Sequence, residues 1–275
     1  MTVTPAREAT VDETVKPTES FLHSTRIASA AEQADPLVRE YWTRGFLALR
    51  GLFRPEEAAG WAAECDRLLG SDYVRPENIR TPFRMKSGNY PERIDPIVDI
   101  SPVFTDVMRD PRITRVVESI LVGKALLFKD KLIFKAPGTE GYTMHQDQAW
   151  WQLCPADDIL SVSIQIDGAN AVNGCIEMFP GYHGHLLTPA GIRTNFRAEE
   201  LARVDASVGE KIETLPGDVL IFHSLTPHQS FRNTADVFRR SFYLTYSAER
   251  GGDFYDRQLV NYKKYSPSEK QTYFQ

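Results

Sequence analysis

No apolar run in this sequence approaches the ~20 residues needed to span a bilayer. The opening stretch MTVTPAREATVDETVK also lacks the apolar core of a secretory signal. These absences predict a cytoplasmic protein with no membrane partner. Cysteine is scarce: Cys65, Cys154 and Cys175 are odd in number and widely separated, which fits neither a disulfide framework nor a zinc spacing. They read as reduced packing residues. Positive charge is in deficit, with 32 Lys and Arg against 37 Asp and Glu and a net charge of −5. Phosphate binding draws on clustered cations, so nucleic acid is not expected as a partner and a small-molecule substrate fits better. Internal repeats and low-complexity blocks are missing as well, and nothing in the sequence reports an oligomeric state.

What is present suits a large core. Hydrophobic residues make up 42% of the chain, with 15 Phe, 11 Tyr and 4 Trp among its 275 residues, enough for one domain of ordinary size. Residues 1–34 are rich in Thr, Ser, Ala, Glu and Pro without apolar periodicity and predict a flexible tail ahead of a single domain over 35–275. Asp35 and Pro36 then supply a cap and a first helical residue, and Leu37, Val38, Tyr41 and Trp42 form an apolar stripe ending at Gly45. A short strand, Phe46 to Leu49, leads to a second helix after Pro55, with Ala58, Trp61, Ala62, Cys65, Leu68 and Leu69 on one face. Residues 71–100 have Pro, Gly, Asn and Arg without period and read as a long loop, made basic by Arg75, Arg80, Arg84 and Lys86. A third helix opens at Asp110–Pro111 and stops at Gly123.

Beyond Ala125 the texture is that of strands: Ala125 to Lys135, Leu160 to Ile166, Ile212 to Leu215, Val219 to His223 and Ser241 to Tyr246 are β-branched or aromatic and separated by turn residues. Helices first and strands after predict a mainly β fold, a jelly roll (double-stranded β-helix, cupin-like) with the N-terminal helices packed on one sheet.

Two segments carry chemistry. In YTMHQDQAWW, His145 and Asp147 stand two apart, so an extended backbone directs both to one side, where they can share a metal ion. Two imidazoles and a carboxylate on one face of an octahedral iron(II) leave three positions for a chelating oxoacid and O2. The second imidazole is found in GDVLIFHSLTPHQSFRNTADVFRRSFYLTYS, where His228 follows a Thr226–Pro227 turn and Arg239 lies eleven residues on. A buried Arg is the natural counter-ion for the far carboxylate of a dicarboxylate, with Ser230 able to donate a further hydrogen bond. His223 competes as the distal ligand but sits inside a strand pattern and lacks that spacing to Arg239.

With these segments in view, the chain resembles the phytanoyl-CoA dioxygenase family, which includes ectoine hydroxylase and natural-product hydroxylases. The matching stretches are RGFLALRGLFRPEEA, KAPG before MHQDQAWW, NGCIEMFPGYH, PGDVLIFHSLTPHQSFRN and FRRSFYLTY, in order over residues 40–250. The resemblance implies Fe(II), 2-oxoglutarate and O2 as cofactor and cosubstrates, with His145, Asp147 and His228 as metal ligands and Arg239 with Ser230 as the clamp. It implies oxidation of an unactivated C–H bond, most often hydroxylation, with epimerisation, desaturation and ring closure sharing the same start. A role in natural-product (antibiotic) biosynthesis goes with it. Halogenation is disfavoured, because related halogenases give up the carboxylate ligand and Asp147 is present. Lys129 and Lys131 share a strand face, and one of them is expected at the cosubstrate. Tyr142 and Trp151 are candidates for the pocket wall and serve equally as core, and Arg84 for substrate contact. His183 and His185 lie in a turn the family does not use for iron, His23 lies in the expected tail, and Arg240 points away from Arg239 as a surface or interface charge.

Overall fold

Alternation along the strands decides the architecture. The computed structural model describes residues 19–72, 74, 79–85, 88–151, 153–190 and 194–258, with the backbone only for 19, 79–85 and 88–90. Seven antiparallel strands form one sheet in the order β1 (Phe46–Leu49), β8 (Val219–His223), β5 (Ile159–Gln165), β10 (Arg239–Ala248), β4 (Ala125–Lys135), β3 (Gly88–Ile94) and β2 (Ile79–Met85). A second sheet pairs β7 (Glu210–Ile212), β6 (Ile176–Met178) and β9 (His228–Ser230) in that order. This is the expected jelly roll.

Because side chains alternate along a strand, each strand of the large sheet has an outer and an inner set. The outer set, Leu47, Val219, Ile221, Leu160, Val162, Ile164, Phe242, Leu244, Leu132 and Phe134, is buried in the main core. Helices α2 (Pro36–Arg44), α3 (Pro55–Leu69), α4 (Pro102–Met108) and α5 (Pro111–Leu121) cover it with Trp42, Trp61, Cys65, Leu68, Phe104, Ile113, Val117 and Ile120. Each fully covered aliphatic or aromatic side chain contributes about 1.5–3 kcal/mol by leaving water, so this face holds the helical layer in place.

The inner set differs from strand to strand. Phe46, Leu220 and Phe222 meet Ile176, Met178 and Ile212 of the small sheet and close one side of the sandwich with apolar contacts. Toward β4 the inner residues become polar: Ser161, Ser163 and Gln165 on β5, Arg239, Ser241 and Tyr243 on β10, Lys129, Lys131 and Lys135 on β4. A sheet that is oily outside and polar inside encloses a chamber, and the catalytic candidates line it.

Several helix ends form as their residues dictate. Asp35 accepts the Leu37 amide at 2.8 Å and Asp110 the Arg112 amide at 2.8 Å, while Gly45 ends α2 at φ 86°, a conformation glycine adopts without cost. α5 stops one residue early, at Val122 in the left-handed region.

Three expectations give way. Residues 79–85 and 88–94 are paired antiparallel strands on the sheet edge and not loop, and α4 was not anticipated from its short span. The expected tail also differs over its second half: α1 (Glu19–Leu22) and a 3-10 helix, Ile27–Glu32, pack on the domain. Ala30 is buried in the main core, the Ser24 amide donates to the Gly184 carbonyl, and the Thr25 amide and hydroxyl donate to Asp157 at 2.8 Å. Polar contacts and a few scattered apolar side chains, Leu22, Ile27 and Ala30, hold this segment, so no apolar period marked it in the sequence. Residues 1–18 of the expected tail lie outside the described residues.

Candidate metal centre

A two-residue bridge builds the site. The His145 amide donates to the His228 carbonyl and the His228 amide to the His145 carbonyl, each at 3.0 Å, so the two residues stand directly opposite one another. Their rings face each other with centroids 4.3 Å apart. The chain leading in runs against β9, with the Ser230 amide donating to the Tyr142 carbonyl at 2.9 Å. Gly141 allows this approach, since a Cβ there would meet the Ser230 carbonyl oxygen at 1.7 Å.

Both imidazoles are fixed in the same tautomer. His145 Nδ1 lies 2.7 Å from the Thr143 carbonyl and His228 Nδ1 2.9 Å from the Thr226 carbonyl. A carbonyl only accepts, so each Nδ1 donates and each Nε2 keeps a free lone pair, as a metal-bound histidine requires. Asp147 opens a short 3-10 helix, Asp147–Ala149, directly after the bridge and brings Oδ1 to 3.8 Å from His145 Nε2. Ser161 donates to Oδ2 at 3.0 Å and leaves the other oxygen turned to the histidines. One ligand atom from each of the three lies within 4.8 Å of the others, and among the described residues no other trio of His, Cys, Asp or Glu meets in this way.

The electrostatics suit a cation. Burial, and then the neighbouring His228, push the His145 imidazole down to about 3, and burial also lowers His228. Burial alone would raise Asp147, but His228, Lys131, His145 and the Ser161 hydroxyl outweigh it and hold the carboxyl below its usual value. At neutral pH the trio is therefore two neutral donors and one anion. Such a set of nitrogen and oxygen donors fits iron(II) and leaves part of the coordination sphere open.

Neighbouring side chains hold the motif in position. Gln146, between the two ligands, is buried on the opposite side, where it donates to the Leu225 and His185 carbonyls and accepts the Leu187 amide. Gln148 donates to the Phe21 and Cys154 carbonyls. Trp150 sets its ring edge-on to His145 at 5.5 Å.

Arg239 has the features asked of a carboxylate clamp. It is 1% exposed, and its Nε and Nη1 have no hydrogen-bond partner among the described residues. A buried guanidinium left this way costs several kcal/mol unless an anion completes it, which is the fit expected for the far carboxylate of 2-oxoglutarate. Its register partner on β4 is Lys135. Lys135 donates to Ser230 Oγ at 3.1 Å, to the Gly174 carbonyl at 3.3 Å and to the Phe231 carbonyl. Ser230 Oγ also accepts the Tyr142 amide at 3.1 Å, so its own hydroxyl proton is left for an incoming acceptor.

The remaining sequence candidates separate. Lys129 is buried in an ion pair with Asp95 at 3.3 Å, which Arg93 approaches at 3.9 Å. Lys131 lies nearer the triad, its ammonium 5.0 Å over the Tyr243 ring. Tyr142 hydrogen-bonds Glu92 through its hydroxyl. Trp151 packs with Phe128, Cys154 and Ile159 in a core cluster, and it is Trp150 that touches a site histidine. Arg84 is on β2 with its side chain outside the described residues, as is that of Arg80; Arg75 and Lys86 lie outside them altogether. His223 is away from the site, with Nε2 3.3 Å from Asp157 and Nδ1 accepting the Leu225 amide. His183 bonds the Trp42 carbonyl, and His185 stacks with His23 and meets Arg203. Arg240 does point away from Arg239, but its place is a half-buried clasp to Asp167 and to Asp66 of α3 and not open surface.

Lys135, Ser161 and Trp150 were not singled out in the sequence. Lys135 shares the strand phase of Lys129 and Lys131, so carrying that alternation to the strand end would have found it. For Ser161 no sequence signal stands out.

Comparison with known proteins identifies the family. A family profile described as Phytanoyl-CoA dioxygenase (PhyH) matches residues 41–241. A methylphosphonate hydroxylase of Gimesia maris is 26% identical over 209 residues, covering 76% of this chain and 75% of the relative. A 2-aminoethylphosphonate dioxygenase from an uncultured bacterium is 27% identical over 161 residues, 58% of this chain and 60% of that protein. Among solved structures, EctD from S. alaskensis with 2-oxoglutarate and 5-hydroxyectoine superposes with a TM-score of 0.71 at 22% identity, covering 90% of this chain and 87% of that one. The chain belongs to the phytanoyl-CoA dioxygenase family and is, with it, an iron- and 2-oxoglutarate-dependent oxygenase.

Proposed function

We propose that this protein hydroxylates an unactivated C–H bond of a small, charged metabolite. In this reading His145, Asp147 and His228 carry the iron, Arg239 and Ser230 hold the far carboxylate of 2-oxoglutarate, and Lys135 orients Ser230 by donating to its oxygen. The observation that carries it is the pair of imidazoles with identical tautomers, both Nε2 lone pairs free beside Asp147. Bound iron(II), with 2-oxoglutarate and O2, supplies the oxidising chemistry. The protein's own residues do the rest. Ser161 keeps one Asp147 oxygen turned to the metal, Trp150 and Gln146 hold the ligand segment, and the buried Arg239 fixes the cosubstrate's orientation.

Hydroxylation is preferred over epimerisation, desaturation or ring closure because the first relatives carry the names hydroxylase and dioxygenase. Their phosphonate substrates support a small oxyanion-bearing substrate for this chain too. A place in specialised metabolism and in the cytoplasm goes with the proposal; no helix among the described residues is long and apolar enough to cross a membrane.

The test is anaerobic addition of iron(II) and 2-oxoglutarate, followed by admission of O2. A visible metal-to-ligand charge-transfer band and subsequent succinate formation are expected. Bound iron without either would leave a binding protein and remove the oxygenase reading.

A further inference from the structure

The chamber holds more positive charge than its metal and cosubstrate neutralise. With iron(II) and 2-oxoglutarate in place, the charges of the metal, Asp147, the dicarboxylate and Arg239 cancel. Among the described residues, Lys129, Lys131 and Arg93 then have Asp95 and Glu92 as their acidic neighbours on and just after β3. Lys129 and Arg93 are both directed at Asp95, at 3.3 and 3.9 Å. Lys135 is enclosed by its three acceptors.

Lys131 is the exception. It is half-buried on the inner face of β4, lies over the Tyr243 ring, and has neither an ion pair nor a hydrogen bond among the described residues. Its charge acts on all three proposed ligands, and Asp147 is the strongest attraction it feels. Its register row, Lys131–Tyr243–Ser163, lies next to the row Lys129–Thr245–Ser161 on the inner face, and Ser161 is the residue that holds Asp147, so Lys131 is placed beside the proposed metal site. An ammonium in a low-dielectric chamber is stabilised by an acceptor of opposite charge, and the aromatic face of Tyr243 supplies only part of that. Arg239 and its register partner Lys135 stand four residues further along the strand face, roughly 13 Å from Lys131 measured along the backbone. In the reading above, the clamp and the metal take the two carboxylates of 2-oxoglutarate.

We propose that the Lys131 ammonium binds an oxyanion, a carboxylate or phosphonate, on the primary substrate, and so fixes which carbon is presented to the metal. The inference rests on the iron and 2-oxoglutarate reading above. Lys131 acts as a specificity-determining residue, and the bound substrate completes the charge balance of the chamber.

The experiment compares the full-length wild-type protein with Lys131→Met and Lys131→Arg, loaded anaerobically with iron(II) and 2-oxoglutarate. Methylphosphonate and propionate are titrated in, each beside an uncharged counterpart (dimethyl methylphosphonate and propionamide), while the charge-transfer band is followed. In the wild type at least one anion should shift the band and its neutral counterpart should not. Lys131→Met should weaken that anion by about thirtyfold or more, Lys131→Arg should retain much of the response, and 2-oxoglutarate affinity without substrate should stay within about twofold. A similar melting temperature for Lys131→Arg and wild type guards against a folding artefact. The proposal is overturned if Lys131→Met weakens 2-oxoglutarate itself, if all forms respond alike, or if no anion shifts the wild-type band. Failure of the band to form at all would overturn the underlying oxygenase reading, and that outcome is distinct from the other three.

Discussion

Two histidines five residues apart, His223 and His228, make opposite use of the same side chain. Both are buried, and both belong to clusters in which an imidazole lies within 4 Å of a carboxylate: His223 of Asp157 at 3.3 Å, and His145, the partner of His228, of Asp147 at 3.8 Å. The difference is in the nitrogens. His223 spends both, Nδ1 accepting the Leu225 amide and Nε2 meeting Asp157, which also ties down Thr25. His228 spends Nδ1 on the Thr226 carbonyl, and its Nε2 faces His145 and Asp147. A saturated imidazole serves structure, and one with a directed lone pair is available to a metal. Proximity to a carboxylate does not separate the two.

Mutation can break that contrast at its strongest point. His145→Ala or His228→Ala should abolish iron binding and succinate formation. His223→Ala should keep both, at a cost of about 1–3 kcal/mol from the stranded Asp157. Iron content measured beside a denaturation curve decides it, and equal loss of iron from folded His223→Ala would reverse the choice of ligand. Asp147→Gly should lose hydroxylation while both imidazoles remain, leaving a position open to an exogenous anion. Normal product from that variant would count heavily against the triad.

A smaller effect is expected at the clamp. Arg239→Leu should leave iron content unchanged and weaken 2-oxoglutarate by about 10²-fold, since a charge-assisted buried contact is lost. Titration of the charge-transfer band measures this, and unchanged affinity would place the dicarboxylate elsewhere.

The smallest effect is on pH dependence. Burial, and then the neighbouring Arg239, push the Lys135 amine down to about 6, with Cys175, Glu140 and Glu92 pulling weakly the other way. Above that pH the folded enzyme holds Lys135 as the amine, with two N–H shared among its three acceptors, and a dianion arriving at Arg239 favours the ammonium, which satisfies all three. Binding of 2-oxoglutarate should therefore take up part of a proton at pH 7–8, and affinity should fall as pH rises. The sign for stability is opposite: from about pH 6 up to the ordinary lysine range the unfolded chain holds the extra proton, so stability rises with pH. Calorimetry in buffers of different ionisation heat detects the uptake, and Lys135→Met should remove it.

The sequence was readable wherever apolar alternation wrote it. The bounds of β1, β4 and β8 came directly from that pattern, because the outer face of the sheet is continuous hydrocarbon, and the first residues of α2 and α5 came from their Asp-Pro caps. The pair of β2 and β3 was read as loop because Arg, Pro, Glu and Asn interrupt it at the polar side of the chamber. The small sheet was partly missed because its strands are three residues long, too short to show a period. Of the site, the proposed ligands and clamp could be read because their chemistry constrains residue type and spacing. Trp150 could not be told from Trp151: the pair straddles a turn after the 3-10 helix, where strand alternation no longer applies. Arg240 showed its direction but not its partners, since Asp66 and Asp167 are far from it in sequence.

The segment from Phe21 to Thr25 bears on how the protein is made in the laboratory. A worker trimming the chain at the apparent linker before Asp35 would delete the carbonyl that receives Gln148, the neighbour of Asp147, along with both donors that cap Asp157. Such a shortened version would look like a whole domain on paper, yet the loop after Asp147 would keep only part of its backing, the Gln148 bond to the Cys154 carbonyl. An expression version beginning at or before Glu19 keeps that support.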